Sequence, residues 1–419
     1  MVYVISKTGK PLMPCQNVIA RLLLKNKKAK VVKQCPFTIK LLYDSTEYTQ
    51  SLTLGVDTGS GTIGAAVCDD GGNIVYMSQV EVRNDIKVKM DQRRMYRRNR
   101  RNRKTRYRKA RFLNRKNSNR KDRFSPTMIS KLHSHAKEIE FIKSILPINK
   151  IVLETATFDP HLMKNPALAS EKVRHWGYQK GPNYGFANTK SAILHRDNYT
   201  CQCCKNKHKD SKLEVHHIIF RSNGGSDDHD NLITLCHTCH KALHDGKLNL
   251  NKKGKSKGTL SHASQMNLIR SQLLKIYPDA VETFGFVTKE NRQMLNLPKD
   301  HYIDACVIAS GGKNIKFKQN VIYYKKSVSC GDYQQTKGIR SEKKIPTGKI
   351  FGFRKFDMVS YKCNYYFIKG RMSDGYAILM DIFGNKQSFM NPKMPKFDKM
   401  KRISARKSVI VCQKCMQIQ

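Results

Sequence analysis

Acidic residues are scarce in this chain. Its 419 residues include 32 Asp and Glu against 79 Lys and Arg, a formal net charge of +47. Solubility needs nothing on that scale, and so large an excess of one sign reads as the footprint of a polyanion, nucleic acid above all. Long apolar runs are absent too. The longest stretches are strand-sized, so no membrane span is expected, and Met1 to Ile5 reads as a short strand rather than a secretory signal. A disulfide framework is also missing: of thirteen cysteines, Cys201/Cys204 and Cys236/Cys239 fall into paired metal spacing. A reducing, cytoplasmic setting follows from that usage. The length allows two or three domains and a sizeable core.

A ribosomal protein or a histone-like condenser would share the charge, but it would have no use for acids at strand ends. This chain has them. Asp57 closes the apolar run Leu52–Asp57, Glu154 closes Ile151–Glu154, and Asp304 lies in His301-Tyr302-Ile303-Asp304. Runs at Leu52–Asp57, Thr62–Asp69 and Asn73–Val82, with Asp70-Gly71-Gly72 as the second link, predict a three-strand meander. Ribonuclease-H-like folds begin this way, and so do actin-type ATPases, in which Asp-x-Gly cradles phosphate. Asp57-Thr58-Gly59 alone does not separate the two.

Before the meander, residues 1–50 read as a small α+β unit. Gly9 to Pro14 is expected as a turn, Asn17 to Lys28 as a helix with apolar spacing at Val18, Ile19, Leu22 and Leu23, and 30–33 and 37–43 as strands. After it, Arg93 to Lys121 carries sixteen Lys or Arg and no Asp, Glu, Pro or Gly. A helix is permitted there, and its charges would repel one another unless an anionic partner neutralised them. A further helix is expected from Pro126 to Leu146, helical spacing again at Met266 to Leu274, and a strand at Phe284 to Val287. Short strands at 356–361, 364–368 and 376–382 predict a small C-terminal barrel. Cys412-x-x-Cys415 has no second pair and receives no assignment.

The most specific signal lies between Cys201 and His244. Two Cys pairs make a tetrahedral zinc knuckle that ties a ββα finger together. A purely structural ribbon would need neither His216-His217, nor Asn231, nor the pair His240-x-x-x-His244, which shares one helical face. These residues resemble the HNH nuclease motif. The resemblance implies that His217 is the general base for water and that Asn231 pins its loop. It also implies that His216, His240 and His244 hold one Mg²⁺ or similar ion. Many relatives carry Asp where this chain has His216, which would shift metal preference toward softer ions.

Asp57, Glu154 and Asp304 fit a two-metal centre, because several carboxylates must converge to hold cations about 3.5–4 Å apart. His301 would activate or orient water there. The basic run after the first acid, and the HNH module between the second and third, decide against the ATPase. In that order the chain resembles IscB, the compact transposon-associated family related to the RNA-guided nuclease of type II CRISPR systems; Pro11-Leu12-Met13-Pro14 adds to the likeness.

The resemblance implies an α/β architecture with small α+β modules: a split RNase H-like (RuvC) fold, an inserted ββα-metal HNH domain, an arginine-rich bridge helix and a C-terminal small β-barrel. The implied boundaries are 1–50 (PLMP domain), 51–87, 125–186 and 251–325 (RuvC segments), 88–124 (bridge helix), 187–250 (HNH) and 326–419 (target-adjacent-motif domain). Arg93, Arg94, Arg97, Arg98, Arg100, Arg101, Arg103, Arg106, Arg108 and Arg111 would bind guide RNA, an omega-type noncoding RNA. Mg²⁺ or Mn²⁺ would serve both nuclease centres, and zinc would sit on Cys201, Cys204, Cys236 and Cys239. The expected assembly is a monomeric ribonucleoprotein on double-stranded DNA, with HNH cutting the paired strand and RuvC the displaced one. An unguided HNH homing or restriction nuclease, a RuvC-type resolvase and a non-catalytic RNA-binding protein are the alternatives.

Overall fold

The structure, a computed structural model, describes residues 1–101, 124–170, 173–174, 177, 180–250, 260–329, 348–390 and 394–416. Two compact units are present. The first joins Met1–Ala156 to Met266–Gln419, and the second is Thr157–Gln265. One unit is thus inserted in the sequence of the other.

The first unit opens with a four-stranded sheet of β1 (Val2–Ile5), β2 (Pro11–Cys15), β3 (Ala29–Gln34) and β4 (Phe37–Leu41), in the order β2-β1-β4-β3. Residues 11–14, expected as part of a turn, belong to strand β2, because Leu12 pairs with Val4 and is buried. Helix α1 (Asn17–Lys25) forms within the expected 17–28, but three of the four apolar residues whose spacing predicted it do not face the core. Its inward residues are Ala20, Leu23 and Leu24, while Val18, Ile19 and Leu22 lie in solvent.

The main sheet is built on β5 (Leu52–Asp57), β6 (Thr62–Asp69), β7 (Asn73–Glu81) and β8 (Lys150–Thr155). After the insertion come β11 (Val281–Phe284), β12 (Lys316–Phe317), β13 (Val321–Ser327) and β18 (Val409–Cys415). The order is β11-β8-β5-β6-β7-β13-β18, with β12 beside β7. Strands β11, β8 and β5 run parallel, so Asp57, Glu154 and Phe284 all lie at one end of the sheet. The expected strand 284–287 is divided there: β11 ends at Phe284, and helix α8 (Gly285–Met294) starts at once.

Each face of this sheet carries helices. Leu52, Leu54 and Val56 alternate toward α3 (Pro126–Lys143) and α7 (Ser261–Ile276), packing on Ile139, Ile142, Ile269 and Leu273. The opposite positions are small, and α9 (His301–Ser310) lies directly on them. A Cβ at Gly55 would stand 2.4 Å from the Ala309 amide nitrogen, and one at Gly64 would stand 1.9 Å from the His301 carbonyl oxygen. Glycine at these two positions is what lets the helix touch the sheet beside Asp57. Across the α3 face, Lys325 of β13 is buried against Glu138, with its Nζ 2.7 and 2.8 Å from the two carboxylate oxygens. Tyr76 and Ser78 also donate to Glu138, so the pair is fully hydrogen-bonded.

Helix α2 (Ile86–Arg101) is the described part of the basic run, with Arg93, Arg94, Arg97 and Arg98 exposed along it. Arg100 and Arg101 are in this helix too. Arg103, Arg106, Arg108 and Arg111 lie outside the described residues, as does most of the expected 88–124 helix. The expected C-terminal barrel is not closed among the described residues. Strands β14 (Met358–Tyr361), β15 (Asn364–Arg371), β16 (Ala377–Met380) and β17 (Lys401–Ser404) make a four-stranded sheet in the order β16-β15-β14-β17. The next strand, β18, leaves it and pairs antiparallel with β13 along Val321–Ser327. Cys412 and Cys415 are three residues apart on β18, so they face opposite sides of the main sheet and cannot share an ion.

The second unit holds the short helix α4 (Pro160–Lys164), α5 (Thr189–Arg196), the hairpin β9 (Leu213–His217) and β10 (Leu232–Cys236), and α6 (His237–His244). Asn188 and Ser191 form a capping box that starts α5. At its end Arg196 donates to the Leu232 carbonyl, and Asp197 accepts the Thr234 amide, fastening the helix to β10. No helix among the described residues is long and apolar enough to cross a membrane.

Candidate active sites

In the inserted unit the four cysteines converge. Cys201 and Cys204 bracket the turn after α5, Cys236 ends β10, and Cys239 lies in the first turn of α6. Their sulfurs all lie within 4.8 Å of one another, those of Cys204 and Cys236 at 3.7 Å. Four thiols at that spacing are the donor set of a structural zinc site. The apolar cluster around them (Cys201, Ile233, Leu235, Cys236, Cys239) is small, so the ion would supply much of what holds the unit together.

His216, His240 and His244 form a second group whose ring nitrogens also lie within 4.8 Å of one another. The helix brings His240 and His244 onto one face, with their Nε2 atoms 3.3 Å apart. His216 comes from β9, is buried, and has an Nε2 with no hydrogen-bond partner. Burial, reinforced by the other two imidazoles, holds the His216 ring at about 4, well below the usual histidine range. Glu214 takes the far side of His240, its Oε2 being 2.7 Å from Nδ1. A carboxylate behind an imidazole fixes the ring and leaves Nε2 free as a donor. The group therefore fits a cation. All three donors are nitrogen, which suits Mn²⁺ or a later transition ion better than Mg²⁺.

His217 points the other way along β9. Its Nε2 is 2.7 Å from Asp227 Oδ1, and Arg221 holds the same oxygen through Nε and Nη2 at 3.0 and 2.6 Å. With Nε2–H donated to Asp227, Nδ1 keeps the lone pair that a base needs. Asn231 is wholly buried. Its Oδ1 accepts the Ile219 amide at 2.8 Å, and its Nδ2 donates to the carbonyls of Ile219 and Ser226, so it ties off the loop from Ile219 to Ser226. The motif pattern alone does not reveal Asp227, Arg221 and Glu214. In a chain so poor in acids, Glu214 two residues before the histidine pair was the available signal, whereas Asp227, ten residues beyond it, gave none.

In the first unit, Asp57 and Glu154 are partners in the parallel β5–β8 register and face α9 together. His301, the first residue of that helix, puts Nδ1 2.6 Å from Asp57 Oδ2. That contact raises the His301 ring above its ordinary value, burial opposing it. Asp304, one turn on, is paired with Arg292 of α8 at 2.8 Å. Burial, then the Asp57 and Asp304 charges, push Glu154 up to about 7, against the lowering influence of the Thr288 hydroxyl beside it. Burial and Asp57 raise Asp304 as well. These carboxylates do not form a ligand group as tight as the other two; Asp57 is engaged by His301 and Asp304 by Arg292. Three acids on one surface, with one raised to about 7, still make a place where a cation would relieve repulsion. Arg292 and Thr288 carry no sequence signal that would have singled them out.

Residues 2–181 match the model of the RRXRR protein family, and residues 201–246 match that of HNH endonucleases. Anaredoxin from Nostoc sp. is 36% identical over 72 residues, covering 17% of this chain and 91% of that protein. The type IV methyl-directed restriction enzyme EcoKMcrA of Escherichia coli is 54% identical over 35 residues, covering 8% of this chain and only 13% of that enzyme. A crystal structure of Streptococcus thermophilus Cas9 in complex with the AGAA PAM aligns over 58% of this chain and 32% of its own, at 12% identity and a TM-score of 0.34. That likeness is too distant to assign a fold.

Proposed function

Starting from a chain that belongs to the IscB-like RRXRR family and carries an HNH endonuclease domain, we propose an RNA-guided DNA endonuclease with two independent cutting centres. The observation that carries this is the nesting. A unit bearing His217 and the three-histidine group is inserted between halves of a chain that together put Asp57, Glu154 and Asp304 on one sheet surface. The parts of the expected segments 51–87, 125–186 and 251–325 that lie in the first unit then form a split RNase H-like (RuvC) domain; residues 157–186 and 251–265 fall with the expected HNH module 187–250 in the inserted unit, and residues 1–50 and 326–419 are accessory domains.

At the HNH centre, His217 takes a proton from water at Nδ1, while Asp227 orients the ring and stabilises the imidazolium that results. Asn231 keeps the Ile219–Ser226 loop closed, so the base stays aimed at the phosphate. A cation held by His216, His240 and His244 would supply charge stabilisation at the scissile phosphate and its leaving oxygen. At the other centre, Asp57, Glu154 and Asp304 would hold Mg²⁺ or Mn²⁺, and His301, held by Asp57, orients water. HNH cuts the guide-paired strand and RuvC the displaced strand. The basic stretch from Arg93 onward binds the guide RNA, a role its charge supports.

The test is strand-resolved. The protein is purified with the RNA it carries and given duplex DNA complementary to that RNA. His217→Ala should leave only displaced-strand cutting, and Asp57→Ala only paired-strand cutting. Loss of both cuts from either change, with DNA binding intact, refutes independent centres. Protein that carries no discrete RNA refutes guidance.

A further inference from the structure

We propose that Phe284 and Phe286 form a stacking platform for unpaired bases of the DNA strand cut at the Asp57/Glu154/Asp304 centre. The inference deepens the function proposed above and rests on it. The two rings are nearly parallel, with planes 5° apart and centroids separated by 6.0 Å. Both are open to solvent: Phe284 is 40% exposed and Phe286 70%, the most exposed phenylalanine among the described residues. Neither ring joins an apolar cluster of the first unit, so core packing does not account for them.

Their position does. Gly285, between them, lies so close to the carboxylate centre that a Cβ there would stand 3.1 Å from Glu154 Oε1. Thr288, on the first turn of the same helix, lies beside the Glu154 side chain and favours its ionised form, while its hydroxyl donates to the Phe284 carbonyl at 3.5 Å. The corner that carries the rings is therefore the corner that holds Glu154. It lies at the shared end of the parallel strands β11, β8 and β5, where Asp57 also stands. Lys289 is exposed on the same helix, and the Lys299 charge is felt at Asp304, so cations for a phosphate backbone are close by.

Flat aromatic faces bind any base by stacking and are indifferent to sequence. This suits a nuclease whose sequence choice is delegated to pairing. In a duplex the base faces are covered by their neighbours, so the platform can serve only a strand whose bases are free. Selection for an unpaired strand at this centre would follow from that.

The experiment uses the ribonucleoprotein with the RNA it carries and a complementary duplex whose displaced strand holds 2-aminopurine near the cut. Phe286→Ala and Phe286→Leu should each slow displaced-strand cutting about tenfold, and Phe286→Tyr should stay near the parent. Paired-strand cutting, unchanged in all three, controls for folding and RNA loading. In an Asp57→Ala background, which leaves the displaced strand uncut, 2-aminopurine should be quenched, and adding Phe286→Ala should restore its emission. Parent-like displaced-strand rates in both Ala and Leu variants overturn the platform. So does an equal fall in both strands, which would make the rings a seat for RNA or for another part of the chain. If Asp57→Ala alone fails to stop displaced-strand cutting, the assignment of this centre is wrong instead.

Discussion

Glu154→Gln should stabilise the metal-free protein, and only at the upper end of the pH range. Burial and two neighbouring carboxylates carry Glu154 from 4.5 to about 7. At full strength that displacement corresponds to about 3 kcal/mol against the ionised, folded form. Glu154 is only partly buried, and water at the open side reduces the figure to roughly 2 kcal/mol. The sign follows from the direction. A carboxyl whose folded value is raised contributes its stability fully below its unfolded value, near 4.5, and loses it as pH rises through about 7. The parent should therefore lose roughly 2 kcal/mol from this group between pH 5 and pH 8, while Glu154→Gln, with no proton to lose, keeps it.

The assay is native-state hydrogen exchange in EDTA, read at the Val56 and Leu153 amides of the paired strands β5 and β8. Local probes read the strands that carry Glu154 and leave the inserted unit out of the signal. Protection in the variant should exceed the parent at pH 8 and match it at pH 5. Millimolar Mg²⁺ should then stabilise the parent more than the variant, since the ion relieves the repulsion that Gln has already removed. A variant less protected at pH 8, or equally improved at both pH values, would show that Glu154 is not held in a repulsive carboxylate group.

Further outcomes are expected elsewhere in the chain. Purified protein should retain about one zinc per chain through dialysis against Mg²⁺, because thiolates favour the softer ion; Cys236→Ser should lose that zinc by elemental analysis, and with it HNH cutting but not RuvC cutting. Lys325→Met leaves Glu138 buried without its cation and should lower the stability of the first unit by about 3–5 kcal/mol in denaturant unfolding. Replacing Arg93, Arg94, Arg97 and Arg98 with Gln should flatten the log–log salt dependence of RNA binding by about three, as expected for four lost phosphate contacts. An unchanged slope would remove α2 from the RNA interface. Mn²⁺ should support paired-strand cutting at lower concentration than Mg²⁺, because the HNH donors are nitrogen; equal requirements at both centres would contradict that assignment.

What the sequence determined by itself is concentrated where chemistry is local. The zinc cysteines and the three histidines fall within 44 residues, Cys201 to His244, and one hairpin and one helix suffice to assemble them. Periodicity placed β5, β6, β8 and α3, because alternation and a Pro after a capping Ser act over a few residues. Tertiary structure decided whatever depends on distant partners. Asp57 meets His301 across 244 positions only because Gly55 and Gly64 let α9 lie on the sheet. Phe284 to Val287 has strand composition, yet the chain turns into a helix at Gly285, which packs closely against the Glu154 carboxylate. The last strand extends the main sheet rather than closing a barrel, since β13 offers it a seven-residue antiparallel edge. Arg292 and Asp227 became visible as partners only once the fold had put an acid and a histidine within reach of them, because ion pairing has no sequence period.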